Sequence, residues 1–380
     1  MIQRLNLYRL SIPFKLVFKH HSAERVETET AWVEAESNGL HAFGEGCPRK
    51  YVTGESLETV DAFFRRHCAA LRQNVTSVDD LKLWMGVHRE DIGKNPAAWC
   101  AIELAILELF ALQQGMAVER LLSIEPPSSR FRYSAVIGDG PADKFRATVS
   151  QYSRTGFSDF KIKLSGDPER DQEKIRILEA QNIPDLRIRA DANNLWKDAE
   201  SATTHLTRLN CSFAGIEEPV TARQFDAMRR VAIETNCRII LDESFLGLKE
   251  LPLIGKDPER WIINIRVSKM GGLLRSLEVV SGASQWCVPV IVGAQVGESS
   301  LLTRVAMTVA QAAGDALLGQ EGAFGTHLLE TDAADPPLMF GQAGILDAAP
   351  LRFAEKAGWG LSWRLPDKAR QFMSSSDAFG

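Results

Sequence analysis

Asp191, Glu217 and Asp242 stand 26 and 25 residues apart, each closing a short run rich in β-branched or apolar residues: LRIRAD, CSFAGIE and CRIILD. The interval is about one strand plus one helix, so in a parallel β/α barrel the three carboxylates arrive on one rim. Carboxylates that converge repel one another unless a hard cation lies between them. Type and spacing together therefore point to a divalent-metal site for Mg²⁺, with Mn²⁺ as a substitute. Just upstream, FKIKL sets Lys161 and Lys163 two residues apart and so on one face of a strand, directed into the barrel. Two buried lysines need compensating charge, and the carboxylates would supply it. A lysine in that setting can have its pKa drawn toward neutrality and act as a general base. Singly, each motif has a plainer reading: Asp-Ala-Asn as a helix cap or Asx-turn, Glu-Glu-Pro as a solvated loop, KxK as a surface edge. Their succession at one-unit spacing is what favours chemistry.

The elements that must position these groups can be read around them. After EPPSSR the chain alternates strand and helix; the proposed strands are FRYSAVIG, FSDFKIKL, LRIRAD, CSFAGIE, CRIILD, WIINIRV, VPVIVGA and ALLGQEG. Eight such units predict an α/β fold, a (β/α)₈-type TIM barrel, over residues 126–345. Residues 1–125 read as an α+β capping domain: alternating strands up to about residue 53, helices over 56–90, then a buried helix opened by Asn95-Pro96 and ended near Gly115. The segment 346–380, with WGLSWRL, reads as a strand returning to the cap.

Composition bounds the function classes. The chain has 380 residues, 45% of them hydrophobic, and a formal net charge of −5. That balance, with no Lys/Arg run interleaved with aromatics, predicts no nucleic-acid partner. No apolar stretch reads as long enough to span a membrane, and MIQRLNLYRLSIPFKL reads as a strand and not a signal peptide. Six scattered cysteines without a CxxC pair suit reduced thiols in a cytoplasmic protein.

Taken together, the motifs resemble those of the enolase superfamily, in its muconate-lactonizing (muconate cycloisomerase-like) branch. The resemblance covers nearly the whole chain. It rests on KxK at Lys161 and Lys163, DxN at Asp191 and Asn193, ExP at Glu217 and Pro219, DES at Asp242–Ser244, and NIRVSKMGGL at 264–273. It implies that Asp191, Glu217 and Asp242 ligate Mg²⁺, that Lys163 abstracts a proton α to a substrate carboxylate, and that Lys161 holds a substrate oxygen. It implies a small carboxylate as substrate, cap loops that close over it, and a homo-oligomer. The mandelate racemase branch carries a His at the end of the seventh strand; here that strand ends Gly293-Ala294-Gln295.

One departure matters. Arg266 stands where that branch carries a second catalytic lysine. Arginine stays protonated, so it is a poor second base but can stabilise an enolate or clamp a carboxylate. The expected reaction is therefore one-base: elimination (a lyase) or cycloisomerisation, with amino-acid or dipeptide epimerisation as the first alternative and a non-catalytic Mg²⁺/carboxylate-binding barrel as the second. Asn193, Lys269, Glu298, Glu321, Tyr51 and Arg49 are further candidates for substrate contact. Lys269 is also weighed as a substitute base, Lys50 as a second anion contact, Phe324 and His327 as pocket lining, and His20-His21-Ser22 as a closing loop.

Overall fold

The computed structural model describes residues 1–20, 23–364 and 369–379; His21 and Ser22 of the expected closing loop lie outside them. The cap is built on a four-stranded antiparallel sheet in the order Arg370–Ser375, Arg4–Leu10, Thr30–Ser37, Leu40–Gly46. The helix Pro96–Gln113 packs on this sheet, most closely along Leu40–Gly46. Gly44 and Gly46 make that approach possible, because a Cβ at either would collide with the backbone of Ala101 or Ala97. Pro96 opens the helix as predicted, but Asn95 gives it no side-chain cap; its amide donates instead to Asp91. This helix also corrects one expectation, since its 18 residues have a mean hydropathy of 1.4 and meet the length and composition of a membrane span. Here it is a core helix, 89% buried within the protein.

Eight parallel strands follow in chain order: Ala135–Ile137, Asp159–Lys163, Arg187–Asp191, Gly215–Glu217, Ile239–Leu241, Trp261–Ile265, Val290–Val292 and Leu317–Gln320. Each pairs with the next, and the Ser134 N–H donates to the Gln320 carbonyl at 2.8 Å to tie the two edges. Helices between the strands cover the outside. The first proposed strand, FRYSAVIG, divides in two. Arg130–Arg132 pairs antiparallel with Ile345–Asp347, and Ala135–Ile137 begins the barrel. The hydrogen bonds change partner at Tyr133, which donates to Gly344, and Ser134, which donates to Gln320. The sixth strand stops at Ile265; Arg266 is already the N-cap residue of a short helix, Val267–Met270.

Of WGLSWRL, Leu365 lies outside the described residues, and residues 359–364 are not the returning strand. Trp359 is fully buried, and Trp363 packs edge-on against Trp32 and Phe43, each at 5.6 Å between ring centroids. Trp363 forms an isolated antiparallel bridge with Ala334, and the strand that joins the cap sheet comes later, at Arg370–Ser375.

Candidate active site

Strand register brings the site together. Lys163 lies opposite Asp191, and Asp191 opposite Glu217, while Glu217 lies opposite Ile240. Asp242, two residues further on, shares Ile240's side of its strand and stands one step higher. Beneath them, Lys161 is level with Arg189. The three carboxylates thus occupy consecutive strand ends, with Lys163 on the strand before and Arg266 just past the strand after.

All three are buried, and cations stand among them. Lys161 Nζ is 2.7 Å from Glu217 Oε2, 3.4 Å from Asp191 Oδ2 and 3.1 Å from Glu321 Oε2. Arg266 Nη2 contacts Asp242 Oδ2 and lies 3.7 Å from Glu217 Oε1. Burial opposes the charge on Lys161, but Glu217, Glu321 and Asp191 more than offset it and hold its pKa above the ordinary lysine value. Burial also opposes the charge on Asp242, yet Arg266 and Lys269 keep its pKa low. Glu217 behaves differently: burial pushes it up to about 8 against the pull of Lys161. Lys163 is lowered to about 8, chiefly by burial, with Lys161 adding to the effect and Asp191 opposing it.

Buried polar atoms without a hydrogen bond gather at this end of the barrel. They include Lys163 Nζ, Glu243 Oε2, Asn264 Oδ1 and Gln295 Nε2. Unsatisfied buried groups are costly and rare in folded proteins, so their concentration marks a place built to receive a ligand. For Mg²⁺ the donor set fits: three carboxylates from three strands, hard oxygen ligands in type, with Glu217 Oε2 and Asp242 Oδ2 engaged only by the ion pairs to Lys161 and Arg266. Lys161 and Arg266 balance part of the carboxylate charge. Elsewhere, Glu34, Glu36 and His41 on the cap also cluster, but Tyr8, Asn6 and Arg4 donate to the two carboxylates.

Several predicted contacts have other work. Lys269 Nζ is engaged by Asp242 Oδ1 at 2.8 Å, the Asp242 carbonyl at 2.8 Å and the Asn264 carbonyl at 2.7 Å. Its place on a helical turn, not an extended strand, swings it beneath the site. Arg49 is likewise corrected: its guanidinium is buried on the carbonyls of Glu29, Pro48 and Val296, and so braces the cap loop against the barrel loop. Glu321 is locked between Lys161 and Arg189 Nη1, at 2.7 Å from the latter. Burial opposes its charge, but Lys161 and Arg189 bring its pKa down to about 2. Glu298 accepts the Gln295 N–H at 2.6 Å within its own loop, and burial raises it to about 8. Asn193 takes a positive φ of 46° and donates its backbone N–H to Asp191 Oδ1, which orients the carboxylate. Tyr51 is half-buried and close enough to act on Arg266 electrostatically. Phe324 packs against Phe340, and His327 stacks on Phe340 and pairs with its carbonyl.

Other groups that shape the site were not singled out from the sequence. Asn264 Nδ2 donates to Glu217 Oε1 at 3.3 Å, and Gly293 makes room for that amide, since a Cβ there would strike Asn264 Oδ1. Glu218, beside the candidate ligand, accepts from Asp242 N, Ser244 N and Ser244 Oγ at 2.7–2.8 Å and so pins the Asp242 loop. Gln295 Oε1 accepts from Arg266 Nη1 at 3.2 Å. Arg189 was legible in principle, because in RIRAD it shares the inward face of Asp191.

With this geometry in hand, the chain can be set beside known proteins. It is 24% identical over 313 residues to the N-succinyl-L-Arg/Lys racemase of Bacillus cereus, covering 81% of this chain and 84% of that one. It is 26% identical over 365 residues to the L-Lys-D/L-Arg epimerase of Methylococcus capsulatus, covering 94% and 97%. The crystal structure of a dipeptide epimerase from Cytophaga hutchinsonii, complexed with Mg and the dipeptide D-Ala-L-Val, superposes with a TM-score of 0.83 at 23% identity, over 98% of this chain and 99% of that one. These relatives are racemases and epimerases, which match the first alternative, epimerisation; neither the muconate cycloisomerase-like branch nor lyase chemistry finds support in them. Residues 144–368 match the family described as "Enolase C-terminal domain-like", and the chain therefore belongs to the enolase superfamily.

Proposed function

We propose that this protein is a Mg²⁺-dependent isomerase that exchanges the proton on the carbon α to the carboxylate of a dipeptide or an N-acylated amino acid. The observation that carries the reading is Lys163: a largely buried amine with no hydrogen bond, its pKa lowered to about 8, beside three carboxylates on consecutive strand ends. The amino-acid substrate class follows from the relatives named above. Asp191, Glu217 and Asp242 would hold the ion, and Mg²⁺ so bound would supply positive charge to the substrate carboxylate as negative charge develops there. Mn²⁺ is proposed as a substitute in the same donor set.

Lys163 has a large unprotonated fraction near pH 8 and takes the α-proton from its side of the substrate. Lys161, held fully charged, stays a fixed cation that neutralises substrate oxygen and does not compete as a base. Arg266 stands on the opposite flank, where inversion needs a proton returned. A guanidinium donates more readily than it accepts, and for epimers of nearly equal energy a weak base on one side limits the rate in both directions.

Arg266 also favours a second reading, in which Lys163 acts alone and the proton returns to the face it left. One experiment separates the two. Proton NMR in D₂O, with dipeptides and N-acyl amino acids of both configurations, is run with Mg²⁺ and again after chelation. Deuterium entering the α-position with inversion, only with metal and Lys163 present, is the expected result. Exchange with retention would replace inversion by the one-base reading, and metal-independent exchange would remove the proposal.

A further inference from the structure

We infer that Arg266 is a displaceable latch across the carboxylates that hold the metal, so that loading the ion requires its guanidinium to leave Asp242. The inference rests on the metal reading above and goes beyond it. Asp242 has two oxygens with different fates. Its Oδ1 is fixed by Lys269 Nζ at 2.8 Å, a lysine anchored to two backbone carbonyls as well. Its Oδ2 receives no hydrogen bond and is covered by Arg266 Nη2. The same nitrogen lies 3.7 Å from Glu217 Oε1. The guanidinium thus bridges two of the three candidate ligands at the oxygen left for an ion.

A divalent cation on that oxygen would stand a few ångströms from the guanidinium, and like charges so close in a buried site repel strongly. The surroundings of Arg266 offer other partners. Its Nη1 already donates to Gln295 Oε1 at 3.2 Å, and its Nε is buried without a hydrogen bond. Glu243 acts on it electrostatically and has a buried oxygen, Oε2, with no donor. The side chain also springs from a junction, the N-cap between a strand and a four-residue helix, where it is not confined by a ladder. Arg266 therefore moves from Asp242 toward Gln295 and Glu243 when metal enters. Its presence weakens metal binding and stabilises the metal-free protein.

The test uses Mn²⁺ as probe on chelator-stripped full-length protein, with free Mn²⁺ counted by electron paramagnetic resonance and melting followed with and without metal. Arg266→Gln is expected to bind Mn²⁺ at least tenfold more tightly than wild type, to melt lower without metal and to gain more in Tm when metal is added. Arg266→Lys keeps a charge but lacks the fork, and should also bind more tightly; it guards against a Gln variant that folds poorly. Metal uptake by wild type should saturate in rate as Mn²⁺ rises, and this limit should vanish in Arg266→Gln. Equal or weaker affinity in both variants, with binding still lost in Asp242→Asn, would overturn the latch and leave the metal site standing. No Mn²⁺ binding by any variant would overturn both.

Discussion

The two flanks of the carboxylate cluster carry cations of opposite character. On one, Lys163 projects from a regular strand, its amine free of hydrogen bonds and its pKa lowered to about 8. On the other, Arg266 sits just beyond a strand, engaged with Asp242, Glu217 and Gln295, and its pKa is raised because Asp242 and Glu217 more than offset the cost of burial. Both residues are cationic in type and both border the same acids. The difference lies in partners: a buried amine without one sheds its proton, and a guanidinium with several keeps it. One side of the site is poised to move a proton, and the other to hold charge.

The sharpest way to break this contrast is to remove the poised side. Lys163→Ala should lower α-proton exchange by about 10²–10⁴-fold with the circular dichroism spectrum unchanged; exchange persisting in D₂O would move the base elsewhere. Removing the other side should be milder and selective. Arg266→Ala is expected to cut inversion by roughly 100-fold while deuterium still enters on the Lys163 face, read by NMR of recovered substrate. The contrast also has a pH signature. Lys163 acts unprotonated, so kcat/KM should rise about tenfold per pH unit below pH 8 and level off above it. For stability, its folded pKa lies below the unfolded value of 10.5, so between about 8 and 10.5 the unfolded chain binds more protons and stability climbs with pH. Lys163→Met should accordingly raise Tm at pH 7, and a lower Tm would mean the ammonium is better compensated than its surroundings indicate. The smallest effect is expected beneath the site. Ser244→Ala removes one of the bonds to Glu218 and should cost about 1–3 kcal/mol of stability in urea unfolding, with less than a tenfold change in activity.

Much of the barrel was legible because period-two strands separated by helices leave a regular trace, and the candidate site was legible where acids end those strands. Legibility failed where backbone geometry changes within a run. FRYSAVIG looks continuous, but hydrogen bonds to Gly344 and Gln320 divide it. WIINIRV reads as strand through Val267, yet the chain turns helical at Val267 and carries Lys269 to Asp242. Arg49 is a candidate for substrate contact from its residue type, and in the fold it braces three carbonyls where the loops of cap and barrel meet.

The sequence by itself determined which residues could do chemistry and on which strand ends they stand, since residue type and a repeat of about 25 residues are local properties of the chain. It also determined that the second basic position is an arginine. What only the tertiary structure decided is the protonation and partnership of each group. Burial without a partner lowers Lys163, neighbouring acids raise Lys161 against the cost of burial, and the contact of Arg266 with Asp242 joins residues 24 positions apart. Electrostatic energies depend on distance and solvent exclusion, and neither is set until the strands close side by side.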